Sequence, residues 1–189
     1  MRLRPARSMR RINSQAWSRY SVKKPRKNYV KAMPHTSLLV FKMGKDSDVY
    51  DLHAVLESAQ DVQLRSNSLE SARQACNKYL ETELQGTYFL RVVPYPHQVI
   101  REKRMATGAG ADRVSKGMTM SFGKPSSVAA RVYSGQNVFY LKLPSSKRAV
   151  AKEAFRRAAS KLSGTYKIKF ISRRPEAAAG AMQQAADAS

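Results

Sequence analysis

Apolar residues in this chain come in short groups, and their spacing alternates between two periods. Ser37 to Met43 is a brief apolar run ended by Gly44, which reads as a strand. Between Tyr50 and Leu64, Leu52, Ala54, Leu56 and Ser58 fall on one face, followed by Val62 and Leu64. That period of two predicts one long strand, bulged near Ala59. The period then lengthens. Leu69, Ala72, Cys76, Tyr79, Leu80 and Leu84 form a stripe at helical spacing. Asn67 or Ser68 stands where an N-cap belongs, Glu70 follows Asn67 in capping-box position, and Gly86 closes the segment. Tyr88 to Val93 reads as another strand, stopped by Pro94 and Pro96.

The second half repeats this order. Ser127 to Tyr133 and Asn137 to Leu143 are strand-like runs joined by Ser134-Gly135-Gln136, a hairpin signal. Pro144, Ser145 and Ser146 then open a second helix. Its apolar stripe is Ala151, Ala154, Phe155, Ala158 and Leu162. Gly164 ends it, and Tyr166 to Ile171 alternates as a final strand. The expected fold class is α+β, with two helices packed on a mostly antiparallel sheet of about six strands, over residues 36–172. A basic arm, residues 1–35, precedes this domain. An Ala/Gln-rich tail, residues 173–189, follows it and receives no function.

Charge sharpens the picture. The 189 residues carry 35 Lys and Arg against 13 Asp and Glu, a net charge of +22. An ordinary small-molecule enzyme has no use for that much self-repulsion, whereas a polyanionic partner accounts for it. Leu, Ile, Val and Phe make up just under a fifth of the chain, near the boundary of disorder at this charge. Part of the chain is therefore expected to order only with its partner. One Cys excludes a disulfide scaffold and, with three scattered His, a Cys/His zinc cluster. The apolar runs are too short for a membrane helix. Cys76 reads as buried packing on the first helix.

The sign of the charge changes along the chain. Residues 1–45 hold 13 bases and no acid, and residues 46–84 hold 8 acids and 3 bases. Residues 101–131 return to 7 bases against 2 acids, and residues 142–174 hold 11 bases with Glu153 as the one acid. At least one face is turned to phosphate. In the arm, Trp17, Tyr20 and Tyr29 are interleaved with Arg19, Lys23, Lys24, Arg26 and Lys27, a mix that stacks on unpaired bases while tracking their backbone. A transit peptide and a solubilising tail share its composition, and both stay open here.

Residues 101–117 are basic and Gly-rich, with no periodic apolar face from Thr107 to Ala111. Gly108 and Gly110 do not make a P-loop, which needs Gly-Lys-Ser/Thr after a longer gap. They do not make a dinucleotide fingerprint either, because Arg113 stands where the third glycine belongs. The expected form is a long flexible projection, with Arg101, Lys103, Arg104, Arg113 and Lys116 as phosphate contacts. His35, His53 and His97 lack a partnered nucleophile motif, and no HExxH or GxSxG occurs. Glu102 and Asp112 are lone acids among bases. No enzyme and no cofactor is expected.

Several motifs in fixed order identify a resemblance. Pro96-His-Gln-Val-Ile-Arg101, Ala106-Thr-Gly-Ala-Gly-Ala-Asp-Arg-Val-Ser-Lys-Gly-Met118 and Phe122-Gly-Lys124 closely resemble the archaeal and eukaryotic large-subunit ribosomal protein L-ten-e, counterpart of bacterial L-sixteen. Arg4-Pro-Ala-Arg7, Val62-Gln-Leu-Arg65 with Ser68-Leu-Glu70, Ala129-Ala-Arg-Val132 and Lys152-Glu-Ala-Phe-Arg-Arg157 add to it, over residues 2–172. Between Ile12 and Pro34 little beyond basic character matches. The resemblance implies an α/β-hammerhead fold bound to large-subunit rRNA beside the aminoacyl-tRNA site, joining the cytoplasmic ribosome late in subunit assembly. It also implies that loop 101–118 points to the peptidyl-transferase centre and tRNA.

Charge and resemblance together give the expected contacts. For rRNA these are Arg2, Arg4, Arg7, Arg10, Arg11, Arg19, Lys23, Lys24, Arg26, Lys27, Lys42, Lys45, Arg65, His97, Lys124, Arg131, Lys147, Arg148, Lys152, Arg156 and Arg157. For the tRNA-proximal loop they are Arg101, Lys103, Arg104, Gly108, Gly110, Arg113, Ser115 and Lys116. The expected partners are large-subunit rRNA, tRNA at the aminoacyl and peptidyl sites, and neighbouring large-subunit proteins, with no membrane and no small-molecule substrate. A free architectural RNA-binding protein is the alternative. An RNA-modifying enzyme lacks the cofactor site or catalytic pair that it requires.

Overall fold

A computed structural model describes residues 12, 32–47, 49–102 and 124–172. Among these residues, eight strands and two α-helices follow one another as β1 (Lys42–Gly44), β2 (Leu52–Ser58), β3 (Val62–Arg65), α1 (Ser66–Leu84), β4 (Phe89–Val92), β5 (Gln98–Glu102), β6 (Lys124–Val132), β7 (Asn137–Leu143), α2 (Arg148–Ala159) and β8 (Tyr166–Ser172). A single 3-10 turn, Ser145–Lys147, leads into α2. The α+β class matches the alternation read from the sequence.

The sheet is not single. Five strands form one sheet in the order β1-β4-β7-β2-β8, and three form a second in the order β3-β6-β5. Every pairing in them is antiparallel. The two helices pack on each other, with α1 also against β3 and β6 and α2 against β2, β7 and β8. Between them lies one core, in which Leu52, Ala54 and Leu56 of β2 meet Leu90, Phe139, Leu141, Ala154 and Phe155.

The long strand expected from Tyr50 to Leu64 is two strands in different sheets. Ser58 is fully buried, and its Oγ donates to the Gln60 carbonyl at 2.7 Å, turning the chain where alternation alone would carry it straight on. The hairpin at Ser134-Gly135 is likewise a turn, closed by Gln136 N–H to the Tyr133 carbonyl at 3.0 Å, yet it joins β6 in one sheet to β7 in the other. These two crossings are tied together. Ser58 N–H donates to the Gln136 carbonyl at 3.0 Å, Gly135 N–H to the Ser58 carbonyl at 2.8 Å, and Ser134 N–H to Asp61 Oδ1 at 2.8 Å.

Smaller differences have local causes. The strand expected from Ser37 shrinks to β1. Helix α1 starts at Ser66, with Arg65 in the cap position and no side-chain cap. Glu70 takes hydrogen bonds from Arg73 Nε at 2.8 Å and Gln74 Nε2 at 2.8 Å instead of closing a capping box, because a charged partner one turn away outcompetes a neutral backbone amide. The helix ends on Gln85 in the left-handed region, followed by Gly86. Strand β5, in the stretch read as edge and loop, is an addition to the expected set. It pairs with β6 from Gln98 opposite Ala129 to Glu102 opposite Lys124.

Candidate nucleic-acid interface

Helix α2 separates its two kinds of residue cleanly. Ala151, Ala154, Phe155 and Ala158 are fully buried on the sheet side. Small residues let the helix lie close, and Phe155 fills the space above the sheet. Lys147, Arg148, Lys152, Arg156 and Arg157 are exposed. Two of these arginines are braced on aromatic rings, Arg148 over Phe170 at 4.6 Å and Arg157 over Tyr79 at 4.0 Å. Glu153 takes Arg156 Nε at 2.7 Å and Arg157 Nε at 2.8 Å. Hydrogen bonds from Arg156 first, then Arg157, push its carboxyl down to about 2. Glu153 is therefore an anion throughout the physiological range and offsets one of these five cations. The first turn of α2 holds no acid, while Lys147 and Arg148 stand at its positive end. Those charges oppose the helix dipole, and an anion bound there relieves both.

The other expected contacts fall into separate places. Arg65 and Arg131 share the face of the three-stranded sheet turned away from the core, since Arg65 pairs with Ala129 and Arg131 with Gln63. Arg131 Nη2 donates to the Ile12 carbonyl at 2.9 Å, which fixes one point of the N-terminal segment to this sheet. Arg65 is buried, and so is Arg101. Arg101 belongs to β5 and not to a projecting loop, which corrects its expected place. A bulge between Ile100 and Arg101 shifts the register beside it. Lys124 pairs with Glu102, so the two described residues that flank the Gly-rich segment lie side by side. Lys42 lies on β1 at the far edge of the larger sheet, with Lys45 just beyond it. His97 sits between β4 and β5, with Nδ1 3.0 Å from the Tyr95 carbonyl.

Arg2, Arg4, Arg7, Arg10, Arg11, Arg19, Lys23, Lys24, Arg26, Lys27, Lys103, Arg104, Gly108, Gly110, Arg113, Ser115 and Lys116 lie outside the described residues. So does the tail from residue 173.

Sequence reasoning missed Arg91, Tyr140, Lys142 and Lys169, on the helix-free face of the larger sheet. Their signal was present as three cations and a tyrosine at outward positions of β4, β7 and β8, but three strands far apart in the chain had to be aligned before it became a patch.

No group of three metal-ligating side chains occurs among the described residues, and no helix there is long and apolar enough to cross a membrane. Cys76 is fully buried on α1, and burial pushes its thiol up to about 12, so it packs and does not react.

Residues 17–169 match the family described as ribosomal protein L16p/L10e. The match begins inside the stretch from Ile12 to Pro34, where only basic character had been expected. Among relatives, the large ribosomal subunit protein uL16 of Methanococcus maripaludis is 41% identical over 169 residues, 89% of this chain and 94% of its own length. That of Hyperthermus butylicus is 41% identical over 179 residues, 94% of this chain and 98% of its own. The Halobacterium salinarum protein is 39% identical over 169 residues, 87% and 92% of the two chains. On the family match and these relatives together, the chain belongs to the ribosomal protein L16p/L10e family.

Proposed function

We propose that this ribosomal protein is a structural constituent of the large ribosomal subunit, holding large-subunit rRNA through the exposed face of α2. It performs no catalysis. The observation that carries the contact assignment is that Arg148, Lys152 and Arg156, spaced four apart, form an exposed row along α2, with Lys147 at its N-cap and Arg157 on its α1 flank, while Ala151, Ala154, Phe155 and Ala158 are sealed into the core. Cations fixed on a rigid element neutralise phosphate where RNA segments converge, and braced arginines lose little freedom on binding. Residues 103–123 join the paired ends of β5 and β6 in sequence, and on this reading their basic, Gly-rich stretch reaches toward tRNA at the peptidyl-transferase centre. Neighbouring large-subunit proteins complete the set of partners.

Sedimentation of a native lysate through a sucrose gradient, at low and high salt, tests this reading. The chain is expected to travel with large subunits and with translating ribosomes and to resist the high-salt wash. A chain that stays at the top of the gradient, or leaves at modest salt, is instead a free architectural RNA binder.

A further inference from the structure

The larger sheet has one face under the helices and one face that no helix among the described residues covers, although Val55 and Phe89 on it are buried. Register fixes what the helix-free face carries. Lys42 pairs with Arg91, Arg91 with Tyr140, Tyr140 with Val55 and Val55 with Lys169, so these five side chains form one row across all five strands. Four strand-to-strand steps make that row about 19 Å long. Beside it, Phe89 pairs with Lys142 and Lys142 with His53. Lys42, Arg91, Lys167 and Lys169 are exposed, and Tyr140 is half-buried, with its hydroxyl 2.9 Å from His53 Nδ1.

At the β1 end of the row the surface dips into an open hollow of about 450 Å³, lined by Lys42, Arg91, Lys142, Tyr140, Phe89 and Asn137 with Asp46 and Val93. Asp46 pairs with Lys142 at 2.7 Å, and Glu57 pairs with Lys169 at 2.5 Å. Lys42, Arg91 and Lys167 have no ion-pair partner among the described residues. The face therefore keeps an excess of positive charge after its own acids are spent.

We propose that this helix-free face is a second rRNA surface, which takes an unpaired RNA segment. Its phosphates follow the row from Lys42 to Lys169, and an unstacked base enters the hollow against Tyr140. The inference rests on the rRNA reading of α2. Charge identifies the occupant. Lysine is depleted at protein–protein interfaces, whereas exposed cations flanking an aromatic ring on an open sheet suit single-stranded nucleic acid. The consequence is architectural. Helix α2 lies on the other face of this sheet, and its exposed Lys152 and Arg156 are separated from this row by a helix and a sheet, about 20 Å of protein. One RNA strand does not cover both faces, so the protein joins two segments of rRNA and is held between them.

Lysine acetylation of the wild-type protein in purified large subunits tests this, using mass spectrometry before and after ribonuclease digestion. Lys42 and Lys167 report the helix-free face, and Lys147 and Lys152 report α2. All four are expected to be protected in intact subunits and to become severalfold more reactive after digestion. Reactive Lys42 and Lys167 beside protected Lys147 and Lys152 would overturn the second surface and leave the α2 reading standing. Protection of Lys42 and Lys167 that survives digestion would mean a protein covers this face, and also overturns it. If all four react in intact subunits, or the chain is absent from them, both readings fall.

Discussion

Gly44 ends β1 at a position that admits no side chain. Its φ is +78°, and a Cβ built there stands 2.0 Å from the Tyr88 carbonyl oxygen, which accepts the Lys45 N–H at 3.0 Å. Gly44→Ala is expected to lower the stability of the full chain by ~2–4 kcal/mol, the left-handed backbone cost plus a displaced hydrogen bond, read from the urea midpoint. Cys76 makes the opposite kind of point. Its place on a helical stripe was legible, and burial explains why iodoacetamide at pH 8 is expected to label it only in denaturant. Glu153 was legible as a lone acid among bases, but its role was not, because the fork of Arg156 and Arg157 around it depends on rotamers. Its carboxyl is held at about 2 against an ordinary 4.5. A folded value below the unfolded one contributes stability above pH 4.5, lost as the pH falls toward 2. Solvent keeps that contribution small at an exposed site. The titration is therefore the sharper readout. Followed by carbon NMR, its midpoint is expected to move up toward 4.5 in the double variant Arg156→Ala, Arg157→Ala.

At the scale of elements, the helices were easier to read than the strands. A 3.6-residue stripe names both the helix and its buried face: α1 buries its stripe except for the half-buried Tyr79, and α2 buries Ala151, Ala154, Phe155 and Ala158, with Leu162 buried just past its end. Period-two alternation says which side chains face inward but not which strand lies alongside. That is why β2 and β3 read as one strand and β6 and β7 as a hairpin, when each pair is split between sheets. The split depends on contacts distant in sequence, above all Ser134 N–H on Asp61. Asp61→Ala leaves that amide to solvent and is expected to cost about 1 kcal/mol. The two sides of α2 are expected to respond oppositely to truncation. Phe155→Ala opens a cavity under the helix and should cost ~3–5 kcal/mol, whereas Lys152→Ala should change stability by less than about 0.5 kcal/mol. In subunits the order reverses for binding. Lys152→Ala is expected to make the chain easier to wash off at high salt, measured by the salt concentration that releases half of it.

Across the whole molecule, the charge blocks of the sequence become a division of labour between faces. The acidic stretch of residues 46–84 supplies α1 and the strands that feed the core, while residues 142–174 supply α2 and cations of the helix-free face of the larger sheet, and the described cations of residues 101–131 lie on the smaller sheet. The total charge was enough to name the partner class; the folding of β4, β7 and β8 into one sheet was needed to show a second basic face. The same folding separates Arg101 from the loop it was grouped with. Arg101 is buried in β5 beside a bulge, while Lys103 to Lys116 lie in sequence between the paired residues Glu102 and Lys124. Two variants should therefore behave differently. Arg101→Ala removes a side chain packed into the smaller sheet, and it is expected to lower the stability of the full chain by ~1–3 kcal/mol. The triple variant Arg104→Ala, Arg113→Ala, Lys116→Ala leaves the strand pairing untouched. It is expected to unfold at the wild-type temperature while cells carrying it accumulate unfinished large subunits and lose polysomes. Normal polysomes in the triple variant would remove the loop from the functional centre. Unchanged stability in Arg101→Ala would return that residue to the loop's set of RNA contacts.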